Sequence, residues 1–139
     1  MVAIPVILAV VGLVALALVW TKNDHRPSDA TRIKALVADR AISTPPPGAR
    51  QAQQGPVLCE DSTPPYYAWH YAFAGPFDSV ARFYSQSLEP DGWDYRGTFS
   101  AGSVGFDKRF PGWTASGTVF PDADGYTVQV DLESNPKCG

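Results

Sequence analysis

Few side chains in this sequence are of types that perform chemistry, and their spacing decides what they could do. Two histidines occur, His25 and His70. Around the second, Tyr67, Trp69, Tyr71 and Phe73 alternate with Ala68, His70 and Ala72. On a strand this puts His70 opposite the aromatic face, towards polar positions such as Asp107, Arg109, Ser116 or Gln129. A general base there needs a positioned partner and a pocket that excludes water, and the spacing shows neither. A solvated surface histidine is the simpler reading, and His25 reads as a polar flank. Asp122-Ala123-Asp124-Gly125 has the look of the start of a calcium loop, with Glu133 at the twelfth place. Its middle fails, because Thr127 stands where the sharp turn needs glycine. An acidic hairpin turn is expected instead, with no metal and no cofactor. Ser62, Ser79 and Ser85 lack the strand–turn–helix setting of an activated serine. Glu60-Asp61 shows no sign of a tuned carboxylate pair. What remains is a candidate binding surface of Tyr66, His70, Asp107, Arg109, Trp113 and Gln129. No catalytic residue is assigned.

The sequence has two cysteines, Cys59 and Cys138, near the two ends of the C-terminal segment. There is no CxxC and no His/Cys cluster, so a metal or redox role has no support. A bridge between them is expected, against the alternative of two unpaired thiols. It would close a long loop and stabilise by about 4 to 5 kcal/mol on the loop-entropy argument. Such bridges persist in oxidising compartments, which places the segment outside the cytoplasm.

The elements that must carry these residues begin with Val2–Trp20, which contains no charged side chain. Nineteen residues of helix span about 28 Å, close to the roughly 30 Å of a bilayer's hydrocarbon. Pro5 suits a first helical turn, and Trp20 an aromatic anchor at the interface. A retained transmembrane anchor is therefore expected over residues 1–21. A cleaved signal peptide, using Ala15-Leu16-Ala17, lacks a basic leader, and a buried core helix is the remaining alternative. Lys22, Arg26, Arg32, Lys34 and Arg40 follow the apolar run, which by charge alone would put the C-terminal part inside. The cysteines argue the opposite, and the extracytoplasmic placement is preferred.

Residues 1–56 carry six Lys/Arg against three Asp/Glu, whereas residues 57–139 carry five against eleven. The basic part lies beside the expected membrane, where anionic headgroups would meet it. The acidic remainder excludes a nucleic-acid-binding role, which needs a basic footprint.

After the anchor, Ser28 is a helix cap, and Ile33, Leu36, Val37 and Ala41 fall at helical spacing. Residues 22–43 are read as a juxtamembrane segment with an amphipathic helix over 29–42. Residues 44–56, with Pro45-Pro46-Pro47 and a Gln-rich run, are read as an extended linker that would hold the domain off the bilayer by about 30 Å. The domain proper is then 57–139. Phe77, Val80, Ala81, Tyr84 and Leu88 form the apolar stripe of a helix. Pro90-Asp91-Gly92 ends it. Trp93–Phe99, Val104–Phe110 and Trp113–Val119 follow as strands, with a turn at Pro111-Gly112. Tyr126, Val128, Val130 and Leu132 alternate with polar residues in the last strand. The fold class is α+β: a transmembrane helix, then one helix packed on a four- to five-stranded antiparallel sheet, in the order strand, helix, strand, strand, strand. One face of the sheet would be covered and the other wet.

Phe83-Tyr84, Leu88 and Gly92-Trp93, with Pro46-Pro47-Gly48-Ala49 upstream, form a PPGA…FY…L…GW pattern. In this the chain resembles small single-pass or secreted actinobacterial proteins of unknown function, over roughly residues 45–133. The resemblance implies a fold and a location, and it carries no site. The expected function is a membrane-anchored accessory or binding module, a non-catalytic partner of a larger membrane or envelope complex. It would hold the bilayer through residues 2–20 and a protein through its acidic, partly aromatic surface. The alternatives are a small-ligand sensor or inhibitor domain and, more remotely, a small hydrolase using His70.

Overall fold

The computed structural model describes residues 27–57 and 65–132 of the chain. The anchor segment, His25, Glu60-Asp61, Ser62, Glu133 and both cysteines lie outside these residues. Among the described residues no helix is long and apolar enough to cross a membrane.

The protein is α+β. Helices α1 (Asp29–Ala38) and α2 (Arg40–Ser43) precede strands β1 (Arg50–Val57) and β2 (Tyr66–Ala72). Helix α3 (Phe77–Leu88) then leads to β3 (Asp94–Thr98), β4 (Val104–Phe110), β5 (Trp113–Pro121) and β6 (Gly125–Asp131). All six strands form one antiparallel sheet in the order β1-β2-β6-β5-β4-β3. Helix α3 therefore carries the chain from β2 to the opposite edge of the sheet. The meander β3 to β6 then returns until β6 pairs with β2.

The inner face follows directly from strand alternation. Tyr67, Trp69 and Tyr71 of β2, Tyr126, Val128 and Val130 of β6, Ala115 and Val119 of β5, and Phe106 of β4 are all buried. Val80, Tyr84 and Leu88, one turn apart on α3, meet them and are fully enclosed. Each such apolar side chain contributes about 1.5–3 kcal/mol by leaving water. Helix α3 passes into a 3-10 turn, Glu89–Asp91, that ends at Gly92, whose φ of +88° suits a left-handed cap.

Four expectations are corrected. The sheet has six strands because Arg50–Val57, read as linker, pairs with β2 from Arg50↔Ala72 to Val57↔Tyr66. An edge strand is wet on both sides, so β1 has no apolar alternation to reveal it. Backbone pairing recruits it, with one side-chain bond from Gln54 Nε2 to the Tyr67 hydroxyl at 2.6 Å, and Pro56 is tolerated because an edge strand need not donate outward. Second, the helix expected over 29–42 breaks at Asp39 (φ −75°, ψ 104°) and packs on the domain. Third, the alternation expected through Phe99 fails at a bulge at Arg96. Phe99, 49% exposed, then lies on the outer side, where a Cβ on Gly105 would meet its ring at 2.7 Å. Fourth, Trp113, a candidate surface residue, is buried and stacked on Phe110 at 4.9 Å.

Asp39 is the joint between the N-terminal arm and the sheet. Its backbone N–H donates to the carbonyls of Ala35 and Leu36 and ends α1. Its Oδ1 accepts from the N–H groups of Ala41 and Ile42 and starts α2. Its Oδ2 accepts from Lys108 Nζ at 2.6 Å. Lys108 sits on the inner face of β4, with the rings of Trp93 and Phe110 at 5.9 and 5.2 Å. Leu36 and Ile42, on either side of the joint, are fully buried. Arg32, on the arm, stands 5.8 Å from the Trp113 ring.

Removing one partner of such a pair leaves an uncompensated charge, a loss of about 3–5 kcal/mol when the pair is buried. Lys108 keeps 22% side-chain exposure, so solvent screening lowers that figure. Asp39→Ala should therefore lower unfolding stability by about 2–4 kcal/mol in urea titration, helix cap included. Asp39→Asn, which keeps the cap, should lose less. Equal midpoints for wild type and Asp39→Ala would show that the arm is held by its apolar contacts alone.

Candidate functional site

The face of the sheet that α3 leaves uncovered carries the sequence's candidate surface. Strand register arranges its side chains in rows. Tyr66, Asp131, Ser116, Asp107 and Asp94 stand in one row. Ala68, Gln129, Thr118 and Gly105 form the next, and His70, Thr127 and Phe120 the third. Tyr66, His70, Asp107, Arg109 and Gln129 thus share this face, and Trp113 belongs to the other. They do not converge. Asp107 lies three strands from Tyr66, about 14 Å at ordinary strand spacing, and further from His70. It is engaged with Arg96 Nε at 3.2 Å and Ser116 Oγ at 2.8 Å. Gln129 donates to Asp131.

His70 has different partners from those expected. Its Nδ1 is 2.7 Å from Thr127 Oγ1, and Thr127 Oγ1 donates to Asp122 Oδ2 at 2.7 Å. A hydroxyl has one proton, and Thr127 gives it to Asp122. Towards His70 it can only accept, so Nδ1 carries the proton and Nε2 of the neutral ring is left as an acceptor. Thr127 is almost wholly buried, so the relay is fixed on its inner side. The expected acidic hairpin turn is present and has a further role. Asp122 Oδ1 accepts from Asp124 N–H, and Asp122 N–H donates to the Gly125 carbonyl. Gly125 allows this turn to press on β2, since a Cβ there would collide with the Tyr71 carbonyl oxygen and stand 2.7 Å from Phe73 N. The close approach carries Asp122 over the end of the sheet beside His70.

Between this turn and β1 lies an open groove of about 640 Å³, lined by Arg50, Ala52, His70, Ala72, Asp122 and Asp124 among others. A second open depression, of about 410 Å³, adjoins it and shares Arg50, Ala72 and Asp124. Both face solvent, and the space between α3 and the sheet is occupied by Trp69, Tyr84, Tyr126 and Leu88. Among the described residues no serine, cysteine or second threonine bonds to His70, so the relay activates no side-chain nucleophile. What the arrangement can do is present an oriented imidazole to a ligand. Among the described residues no group of three or more His, Cys, Asp or Glu could hold a metal.

Directly beneath, on the inner face, Tyr71 stacks on Tyr126 at 5.0 Å, and the hydroxyls of Tyr84 and Tyr126 lie 3.1 Å apart. Burial, and then the neighbouring Tyr67, push the Tyr71 phenol up to about 12. Burial raises Tyr84 and Tyr126 further; in Tyr126 it outweighs the opposing effect of the hydrogen bond with Tyr84. These phenols are neutral floor to the site and supply no base.

No protein-family model, curated protein or solved structure significantly matches the chain.

Two outcomes are expected. Folded-state phenol values raised above 10 mean that stability is intact below that pH and falls as pH climbs towards 12 and beyond. Phenolate absorbance should therefore show Tyr71, Tyr84 and Tyr126 ionising only at or after alkaline unfolding. Thr127→Val should cost about 1–2 kcal/mol by removing its two side-chain hydrogen bonds. In nitrogen-15 NMR, it should also abolish the preference for the Nδ1–H tautomer of His70.

Proposed function

We propose that this chain is a non-catalytic accessory or binding module, anchored in a membrane by residues 2–20 and presenting the open face of its sheet outside the cytoplasm. Its partner on this reading is a protein of the membrane or envelope. The observation that carries the reading is the uncovered sheet face, whose polar side chains are already held to one another. Arg96 with Asp107 and Ser116, His70 with Thr127 and Asp122, and Gln129 with Asp131 are each pre-positioned. Side chains already fixed lose little entropy when a partner docks. Exposed Phe99, with the Arg96 guanidinium 5.4 Å from its ring, adds an aromatic and arginine pair of the kind that anchors interfaces.

The uncharged run Val2–Trp20 supports the anchor, and the placement of Cys59 and Cys138 supports a bridge in an oxidising space. The docked arm changes the geometry first expected. With α1 and β1 packed into the domain, residues 44–56 no longer act as a spacer. Only residues 21–28 would separate anchor from domain, at most about 27 Å of extended chain. A domain held so close to the bilayer favours a partner that is itself in the membrane. The resemblance to single-pass or secreted proteins points the same way.

The test is site-specific photo-crosslinking of the full-length protein in membranes. A cross-linker at Thr118, on the open face, should give one reproducible protein adduct that survives detergent extraction. One at Arg82, on the solvent side of α3, should not. Adducts from Arg82 alone, or from neither position, would overturn the reading.

A further inference from the structure

The groove at the β1 end of the open face holds opposite charges that do not meet. Arg50 and Asp124 both line it, as does His70. Among the described residues neither the Arg50 guanidinium nor the Asp124 carboxylate has a hydrogen bond or ion pair, and His70 Nε2 is free because Nδ1 is the nitrogen bound to Thr127. Asp122 differs, since both its oxygens are engaged, by Thr127 and by the Asp124 N–H. The groove therefore offers one planar cation, one carboxylate and one fixed imidazole nitrogen, between the small walls of Ala52, Ala72 and Ala123. Its volume of about 640 Å³ is within the roughly 300–1,000 Å³ usual for small-molecule sites.

From these features we infer that the groove binds a short peptide with free termini. The guanidinium fork fits a terminal carboxylate, which can take two parallel hydrogen bonds. The terminal ammonium is matched by Asp124 and by Nε2 of His70 as acceptor. A simple anion is disfavoured by the two aspartates, and a simple cation by Arg50. Register sets the length. Arg50 pairs with Ala72, and Ala72 with Gly125, next to Asp124. Two strand spacings separate the charged positions, about 9–10 Å along the backbone. A free amino acid or a dipeptide is too short to span that distance, and three extended residues at about 3.4 Å each do span it. This site goes beyond the partner-docking reading and stands independently of it.

The experiment titrates full-length protein in detergent micelles with tri-alanine, its N-acetyl form and its C-terminal amide. Binding is read from the His70 ring resonances. Tri-alanine is expected to bind with a dissociation constant at or below ~1 mM, and blocking either terminus to weaken it about tenfold. Arg50→Gln should abolish the preference for acid over amide and leave the penalty for acetylation in place. Asp124→Asn should do the reverse. Both positions are solvent-exposed, so the variants retain the fold, checked by amide chemical-shift dispersion. No saturable shift with tri-alanine, or preferences unchanged in both variants, overturns the proposal. The cross-linking result at Thr118 is unaffected by either outcome, so the two readings fail separately.

Discussion

A carboxylate and an ammonium 2.6 Å apart, Asp39 and Lys108, tie the N-terminal arm to the sheet. Asp39 is enclosed, and Lys108 and two backbone N–H groups satisfy its carboxylate oxygens. Lys108 in turn lies on the apolar side of β4, where its stem packs against aromatic rings while its charge reaches Asp39. The pair sets where α1 ends, where α2 begins and how Leu36 and Ile42 enter the core. The arm's docking brings β1 to the edge of the sheet, and β1 supplies one wall of the groove.

The two faces of the sheet divide the work. The inner face is crowded with aromatic side chains and buried phenols. The outer face is polar, and several of its side chains pair with one another across strands, as in Arg96–Asp107–Ser116 and His70–Thr127. The β5–β6 hairpin connects the two aspects. Its glycine lets the backbone close onto β2, and that approach delivers Asp122 to Thr127 and so orients His70. A small change of backbone there would leave His70 a freely rotating surface side chain.

Much of the fold was legible. The alternation of Tyr67, Trp69 and Tyr71, the Val80–Tyr84–Leu88 stripe and the turn residues Pro90-Asp91-Gly92 and Pro111-Gly112 each report a local periodicity or backbone preference. Strand β1 was not legible, because Gln51 to Gln54 face water on both sides and carry no apolar code. The break at Asp39 was hidden inside a helical pattern, since it rests on a lysine from a distant strand as well as on the local cap. Trp113 read most economically as core and was kept as a surface candidate; its burial against Phe110 decides for the core. The five outward candidates were assigned to the correct face, but their partners were not.

By itself, the sequence determined which residues point inward and which outward on β2, α3 and β6, and where several elements stop, because these follow from the period of the backbone. It also determined the apolar, uncharged character of residues 2–20. Only the tertiary structure decided the strand order, the membership of β1 and the meeting of His70 with Thr127 and Asp122. His70 and Thr127 are 57 residues apart, and Asp39 and Lys108 are 69 apart. Contacts over such separations depend on which strands become neighbours, and no local pattern encodes that choice.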